Sequence, residues 1–280
     1  DNCDGAGSVA GVDGPLVGGN CGGTITRTWT YTDACGNTDT ETQTITVTDN
    51  QAPVLAAPPA NLTVQCAGDV PAMTNLGWTD NCDGAGSVAG SDGPLVGGNC
   101  GGTITRTWTY TDACGNTATA QQVITVNDNV NPVFAAPPAN ITVDCIGNVP
   151  AMTNLSYTDN CDAPGNVAGV DSPLAGGTCG GTITRTWTYT DACGNVGTAQ
   201  QIITVDDNIT PVLNAAPANV NVQCNGDVPA MINLNWTDNC DGAGSVVGSD
   251  VSDGNTCPET ITRTWTYTDA CGNPATQTQT

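Results

Sequence analysis

Residues Thr103–Asp112 read TITRTWTYTD. Threonine takes every second position, and Ile104, Arg106, Trp108 and Tyr110 stand between. β-Branched and aromatic residues at a period of two make a strand with one face on a core and one on water. The flanking sequence repeats the pattern more briefly. NLTVQC (61–66) puts Leu62, Val64 and Cys66 in phase, NLGWTD (75–80) carries Leu76 and Trp78, and AQQVITV (120–126) aligns Gln122, Ile124 and Val126. Gly- and Asp-rich segments lie between these runs, and no helical period occurs. Short strands with turn punctuation predict an all-β fold of immunoglobulin-like antiparallel β-sandwiches.

The pattern recurs. DNCDGAGSVAG at Asp1 returns at Asp80, as DNCDAPGNVAG at Asp159 and as DNCDGAGSVVG at Asp238, each 79 residues after the last. Residues 1–38 and 80–117 differ only at Val12 against Ser91. Taking the Asp-Asn linkers as boundaries gives complete repeats at 51–129 and 130–208, the later part of one at 1–50, and most of one at 209–280. That phase reads as a window on a longer fibre or surface protein. Tandem units of this kind are joined end to end and serve length more naturally than catalysis.

Composition narrows the function. Against 27 acidic residues stand only Arg27, Arg106, Arg185 and Arg263, with no histidine, for a net charge of −23. Such a surface repels nucleic acid and anionic lipid and attracts cations. Apolar runs are too short to span a bilayer, so no direct membrane insertion is expected in this segment. Every acid of interest recurs in each copy, and there is no histidine or lysine for acid–base work, so an enzyme is not expected. Arg106 shares the face of Trp108 and Tyr110, and its expected role is a stack or an internal ion pair that holds register.

Fifteen cysteines indicate an oxidising, extracellular compartment. Zinc is disfavoured, because no histidine and no C-x-x-C pair is present. Four cysteines per repeat allow three connectivities. In a seven-strand sandwich the Cys82 loop and the Cys114 hairpin share one pole, while Cys66 and Cys100 share the other. This predicts Cys66–Cys100 and Cys82–Cys114, and by repetition Cys145–Cys179, Cys161–Cys193, Cys224–Cys257, Cys240–Cys271 and Cys3–Cys35. Each would close a loop of roughly 30 residues, worth about 3–4 kcal/mol in the chain-entropy model. The alternative pairs Cys82 with Cys100 and Cys66 with Cys114. One cysteine of the first fragment is left over, Cys21 in the first scheme and Cys35 in the second.

The linkers carry the candidate site. TVTDNQAPVL (46–55), TVNDNVNPVF (125–134) and TVDDNITPVL (204–213) each place Asp-Asn ahead of a proline. Each linker leads into the pole bearing the second and fourth cysteines of the following repeat. Asp49 and Asn50 are therefore expected near Asp80, Asp83, Asp112 and Asn116. The later junctions would gather Asp128 and Asn129 with Asp159, Asp162, Asp191 and Asn195, and then Asp207 and Asn208 with Asp238, Asp241, Asp269 and Asn273. Short carboxylates and amides converging from loops suit calcium, a hard cation that takes six to eight oxygens. The competing role for these side chains is capping their own turns.

The motifs WTDNCDG (78–84), TWTYTDACGN (107–116) and ITVNDN (124–129) resemble the four-cysteine variant of the hyalin-repeat (HYR)-like domains found in tandem in large bacterial surface adhesins. The linker resembles the calcium-binding linker of cadherins. The resemblance implies an immunoglobulin-like sandwich and an extracellular stalk or adhesin role. Two functions follow. One is a structural filament or stalk, stapled by disulfides, stiffened by calcium, and partnered by neighbouring repeats or copies of itself. The other is a repeated module that recognises surface glycans by avidity. The aromatics fall on the core face, which favours the structural reading.

Overall fold

The structure, a computed structural model, describes residues 5–280. Its contacts divide the chain into two compact units, Asp1–Asn129 and Val130–Thr280. In the first unit, residues 51–129 fold as two facing sheets. One sheet holds Leu76–Asp80 between Val54–Leu55 and Gly84–Val88, all antiparallel. The other runs in the order Leu62–Val64, Thr117–Asn127, Cys100–Thr111, Gly90–Asp92. Its backbone is the hairpin of the two long strands, in register from Thr111–Thr117 down to Val126–Gly102. Leu62–Val64 joins its edge parallel to Ile124–Val126, one parallel pair in otherwise antiparallel sheets. Residues 12–47 of the same unit form the three-stranded sheet Val12–Asp13, Gly23–Thr32, Thr38–Val47.

The second unit repeats this plan. Val133–Phe134, Asn154–Thr158 and Gly165–Ala168 make one sheet, and Ile141–Val143, Val196–Asp206, Cys179–Thr190 and Val170–Asp171 make the other. Val212–Leu213, Asn233–Asp238 and Gly242–Val247 then form a sheet, as do Ser249–Ser252, Ile261–Thr268 and Pro274–Gln279. The chain is all-β, a tandem series of immunoglobulin-like sandwiches.

Alternation sorts the long strand as its sequence implies. Ile104, Arg106 and Trp108 are buried, while Thr105, Thr109 and Thr111 are exposed. Ile104 packs with Ile124 and Val126 under Leu62, Val64, Val70 and Leu95. Trp108 is fully buried, and its indole N–H donates to the Thr74 carbonyl at 2.8 Å, so its one polar atom is satisfied. Tyr110 stacks on Trp78 across the sandwich with centroids 3.8 Å apart. Tyr157, which replaces that tryptophan in the third repeat, keeps the stack with Tyr189 at 3.8 Å. The aromatics thus hold the two sheets together.

Arg106 lies in this core as an ion pair. Its Nε and Nη2 meet the two Asp92 oxygens at 2.7 and 2.9 Å, and Nη2 also donates to the Pro71 carbonyl at 2.9 Å. The same fork joins Arg185 to Asp171 and Arg263 to Asp250. A planar guanidinium suits this use, since it satisfies a carboxylate and a loop carbonyl at once. It pins the short strand Gly90–Asp92 and the loop at Pro71 onto the long hairpin.

Arg106→Met strands Asp92 and the Pro71 carbonyl, and should cost roughly 2–3 kcal/mol in chemical denaturation, less than a wholly buried pair because Asp92 stays partly exposed. The hydrogen bonds and charge of Arg106 hold the Asp92 carboxyl below its ordinary range. That stabilisation is present above the usual aspartate value of about 4 and is lost as pH falls through the depressed one. Melting temperature should therefore drop on acidification, and less steeply in Arg106→Met. At Gly90, a Cβ would come within 2.7 Å of Met73 Sδ and 2.8 Å of Trp108 Nε1. Gly90→Ala should destabilise by about 1–3 kcal/mol by displacing that indole, read from the same unfolding curves.

Candidate metal centre

Three carboxylates from three segments meet where the linker enters the sandwich built on Leu76–Asp80 and Thr117–Asn127. Asp112 closes the hairpin DACGN: its Oδ1 accepts from the backbone N–H of Cys114 and Asn116 at 2.9 and 2.8 Å, and its Oδ2 from Asn116 Nδ2 at 2.8 Å. Gly115 supplies the positive φ that the turn requires. Asp80 ends its strand by accepting, through Oδ2, from the N–H groups of Cys82 and Asp83 at 2.8 and 2.9 Å. Asp49 arrives from the linker, and its Oδ1 accepts from Gln51 N–H at 3.1 Å and Asn81 Nδ2 at 3.2 Å. Asn116 also donates to the Asp49 main-chain carbonyl at 3.3 Å. One oxygen from each of Asp49, Asp80 and Asp112 lies within 4.8 Å of the others.

Turn capping leaves this cluster incomplete. Asp49 Oδ2 and Asp80 Oδ1 are buried with no hydrogen-bond partner, and Asp49 is only 6 % exposed. Burial works to raise the Asp112 carboxyl, but the side chain and N–H of Asn116 and the N–H groups of Cys114 and Gly115 outweigh it and hold Asp112 below the usual range. An ionised trio at this spacing repels by about 3–4 kcal/mol per pair at an effective dielectric near 20. Orphaned carboxylate oxygens facing one another fit a hard divalent cation with oxygen ligands, and Asp49, Asp80 and Asp112 are the residues that would hold it.

The second unit repeats the arrangement. Asp207 and Asp238 group with Cys240. Asp238 Oδ1 is buried and unpartnered, Asn273 Nδ2 donates to the Asp207 carbonyl at 3.0 Å, and Asp269 is capped by Cys271 and Asn273. Asp191 caps Cys193 and Asn195, and Asp159 caps Cys161 and Asp162 while leaving its own Oδ1 unpartnered. Asp128 is buried like Asp49 and Asp207.

Other expected ligands take different places. Asn50, Asn129 and Asn208 are exposed, and Asn208 Nδ2 donates to Asp206 Oδ2 at 3.0 Å. Asp83 turns its Oδ2 to the Ala113 N–H at 2.8 Å and the Tyr110 hydroxyl, tying the DNCD loop to the hairpin. Asp162 and Asp241 do the same toward Ala192 and Ala270. Asn116 and Asn273 reach the cluster through their amide Nδ2, which donates to the main-chain carbonyls of Asp49 and Asp207.

The cysteines depart from the expected pairing. Cys114 is joined to Cys21 rather than to Cys82. Cys145 is joined to Cys240 and Cys179 to Cys271, in place of Cys145–Cys179 and Cys240–Cys271. Cys66, Cys100, Cys161 and Cys193 are also oxidised, whereas Cys35, Cys82, Cys224 and Cys257 are exposed thiols, so Cys82–Cys114, Cys224–Cys257 and Cys3–Cys35 do not form. Cys3 itself lies outside the described residues. Cys21 stands just before the strand Gly23–Thr32, beside Gly22, whose N–H donates to the Val47 carbonyl near the linker, and Cys114 sits in the hairpin that the linker meets. What differs is that the trailing pole of one repeat faces the leading pole of the next. A cysteine there meets its partner across the junction, with Cα atoms 5.0–5.3 Å apart.

The profile of the HYR-like domain with 4 cysteines matches residues 1–47, 54–126, 133–205 and 212–280. This chain belongs to that family. No curated protein matches the chain. Among solved structures, a protocadherin gammaB7 EC3-6 cis-dimer is similar at 12 % identity and a TM-score of 0.34, over 92 % of this chain and 84 % of that one.

In these HYR-like repeats sequence reasoning passed over Asn81 and Asn239. Asn239 Nδ2 donates to Asp207 Oδ1 at 3.2 Å and lies 3.3 Å from Cys145 Sγ, so it touches both the carboxylate group and the cross-repeat disulfide. The signal was its fixed place between Asp and Cys in every DNC. The cross-repeat disulfides close loops of 93, 95 and 92 residues. Each is worth about 4–5 kcal/mol in the chain-entropy model, more than an internal staple. Non-reducing peptide mapping should recover Cys21–Cys114, Cys145–Cys240 and Cys179–Cys271. Proteolytic cleavage of the linker at 207–211 should leave the flanking repeats joined until reductant is added.

Proposed function

We propose that this chain is a stretch of an extracellular stalk or filament. In it, successive HYR-like repeats, with limits at 50/51, 129/130 and 208/209, are cross-braced by disulfides and stiffened by calcium bound at the linker carboxylates. The observation that supports the reading is the cluster of Asp49, Asp80 and Asp112, one oxygen of each within 4.8 Å of the others, in which Asp49 Oδ2 and Asp80 Oδ1 are buried without a hydrogen-bond partner. A cation there neutralises the repulsion and fastens the linker to the following sandwich, while the disulfide fastens the preceding one. Linker, disulfide and ion together leave no free swivel. Disulfides and a surface of net charge −23 fit an oxidising, calcium-rich exterior. The described residues contain no helix long and apolar enough to cross a membrane. The stacked aromatics are engaged inside the sandwiches and so are not offered as sugar platforms, which favours the structural role over glycan recognition.

Calorimetric melting with and without chelator tests the reading. Calcium at a hundredfold excess over its dissociation constant should stabilise by about 2.7 kcal/mol per site. The double variant Asp49→Asn, Asp80→Asn should lose the calcium response at its junction and gain stability in chelator, because two repelling charges are gone. A melting curve indifferent to calcium overturns the role of the ion.

A further inference from the structure

Two disulfides cross the junction inside the second unit, and they are matched in length. Cys145–Cys240 bypasses 95 residues of main chain and Cys179–Cys271 bypasses 92. At 3.3–3.6 Å per extended residue the two shortcuts differ by only about 10 Å. Each bridge is anchored in regular structure. Cys145 caps the turn Ile146–Asn148 behind the strand Ile141–Val143, and the Cys240 N–H donates to Asp238 at the end of Asn233–Asp238. Cys179 opens the strand Cys179–Thr190, and Cys271 sits in the turn that Asp269 caps. The hairpin of Cys179–Thr190 with Val196–Asp206, the linker at 207–211 and both Asp207 and Asp238 lie between residues 179 and 240, inside both bypasses. In the first unit Cys21–Cys114 encloses Asp49, Asp80 and Asp112 in the same way.

We propose that this pair of bridges is a twofold tension line: a pull along the molecule crosses the junction through sulfur, and the peptide between residues 179 and 240 carries none of it. The inference rests on the stalk reading and gives it a second task, holding length under drag. A chain under tension loads its shortest covalent route first, because a longer route in parallel stays slack until the shorter one is straight. Two routes of nearly equal length come taut together and share the pull, and either one holds when the other is reduced. The bypassed main chain keeps the slack of 92 residues or more, so neither its hairpin ladder nor its linker is stretched. Asp207 and Asp238 therefore keep their spacing while the molecule is pulled. Sulfur resists extension, and the linker with its carboxylates is left to resist bending.

The test stretches the full chain in optical tweezers between cysteine-free handles on Asn131 and Thr280, in chelator throughout. Wild type should stop lengthening at roughly 200 Å, the reach of 131–145 and 240–280 at 3.3–3.6 Å per residue. Removing one bridge, by Cys145→Ser with Cys240→Ser or by Cys179→Ser with Cys271→Ser, should move that limit by no more than about 10 Å. Removing both should add about 200 Å or more, and a phosphine reductant should do the same to wild type without any substitution. A wild type that lengthens past its limit before reduction overturns the proposal. So does a single-bridge variant that lengthens as far as the double one, or a limit that reductant leaves unchanged. Peptide maps of the same samples report whether Cys145–Cys240 and Cys179–Cys271 have formed. No calcium is present, so a failure here is distinguishable from a failure of the melting test on which the stalk reading stands.

Discussion

Sulfur bonds that leave one sandwich and end in the next are the constraint on which the rest of this molecule depends. A repeat of this size has a thin core: one buried tryptophan, one aromatic stack and a handful of aliphatics. An internal staple would strengthen that core but leave each junction a flexible peptide. Placing the bond across the junction does both jobs, since Cys145–Cys240 and Cys179–Cys271 each constrain a long loop of the unfolded chain and also fix two sandwiches to one another. With the peptide linker they make three attachments, and three attachments that do not lie on one line define an orientation.

The carboxylates exploit that orientation. Asp49, Asp80 and Asp112 come from a linker, a strand end and a hairpin, and each is already bound by turn hydrogen bonds on one side. Those bonds hold the three aspartates in fixed positions. At Asp49 and Asp80 the oxygen that the turn does not use is left buried and unpaired, while both Asp112 oxygens are engaged by its hairpin. Capping at Asp49 and Asp80 thus leaves an oxygen available, whereas the Asp83 carboxylate is occupied by the neighbouring loop.

Much of the sandwich was legible. The Thr103–Asp112 alternation names its own inner face, because a period of two leaves no choice once Trp108 must be covered. The strands at Leu62, Leu76 and Val123 were marked by apolar runs and appear there. The strands Gly84–Val88 and Gly90–Asp92 were not marked. Their glycines have little strand preference of their own, and they are strands because Trp78 and Trp108 press close against Gly86 and Gly90 and need neighbours without a Cβ. Arg106 was placed on the core face by its register, but its forked partner Asp92 lies on another strand that only pairing identifies.

The sequence by itself determined the repeat, its period, its all-β class, and the gathering of acidic side chains where linkers meet sandwiches, because each of these is written in local spacing. Only the tertiary structure decided which cysteine meets which. Within the second unit, Cys145 and Cys179 meet Cys240 and Cys271 of the following repeat rather than each other. A disulfide needs Cα atoms 5.0–5.3 Å apart, and proximity of that kind belongs to the packing of neighbours rather than to any pattern along the chain.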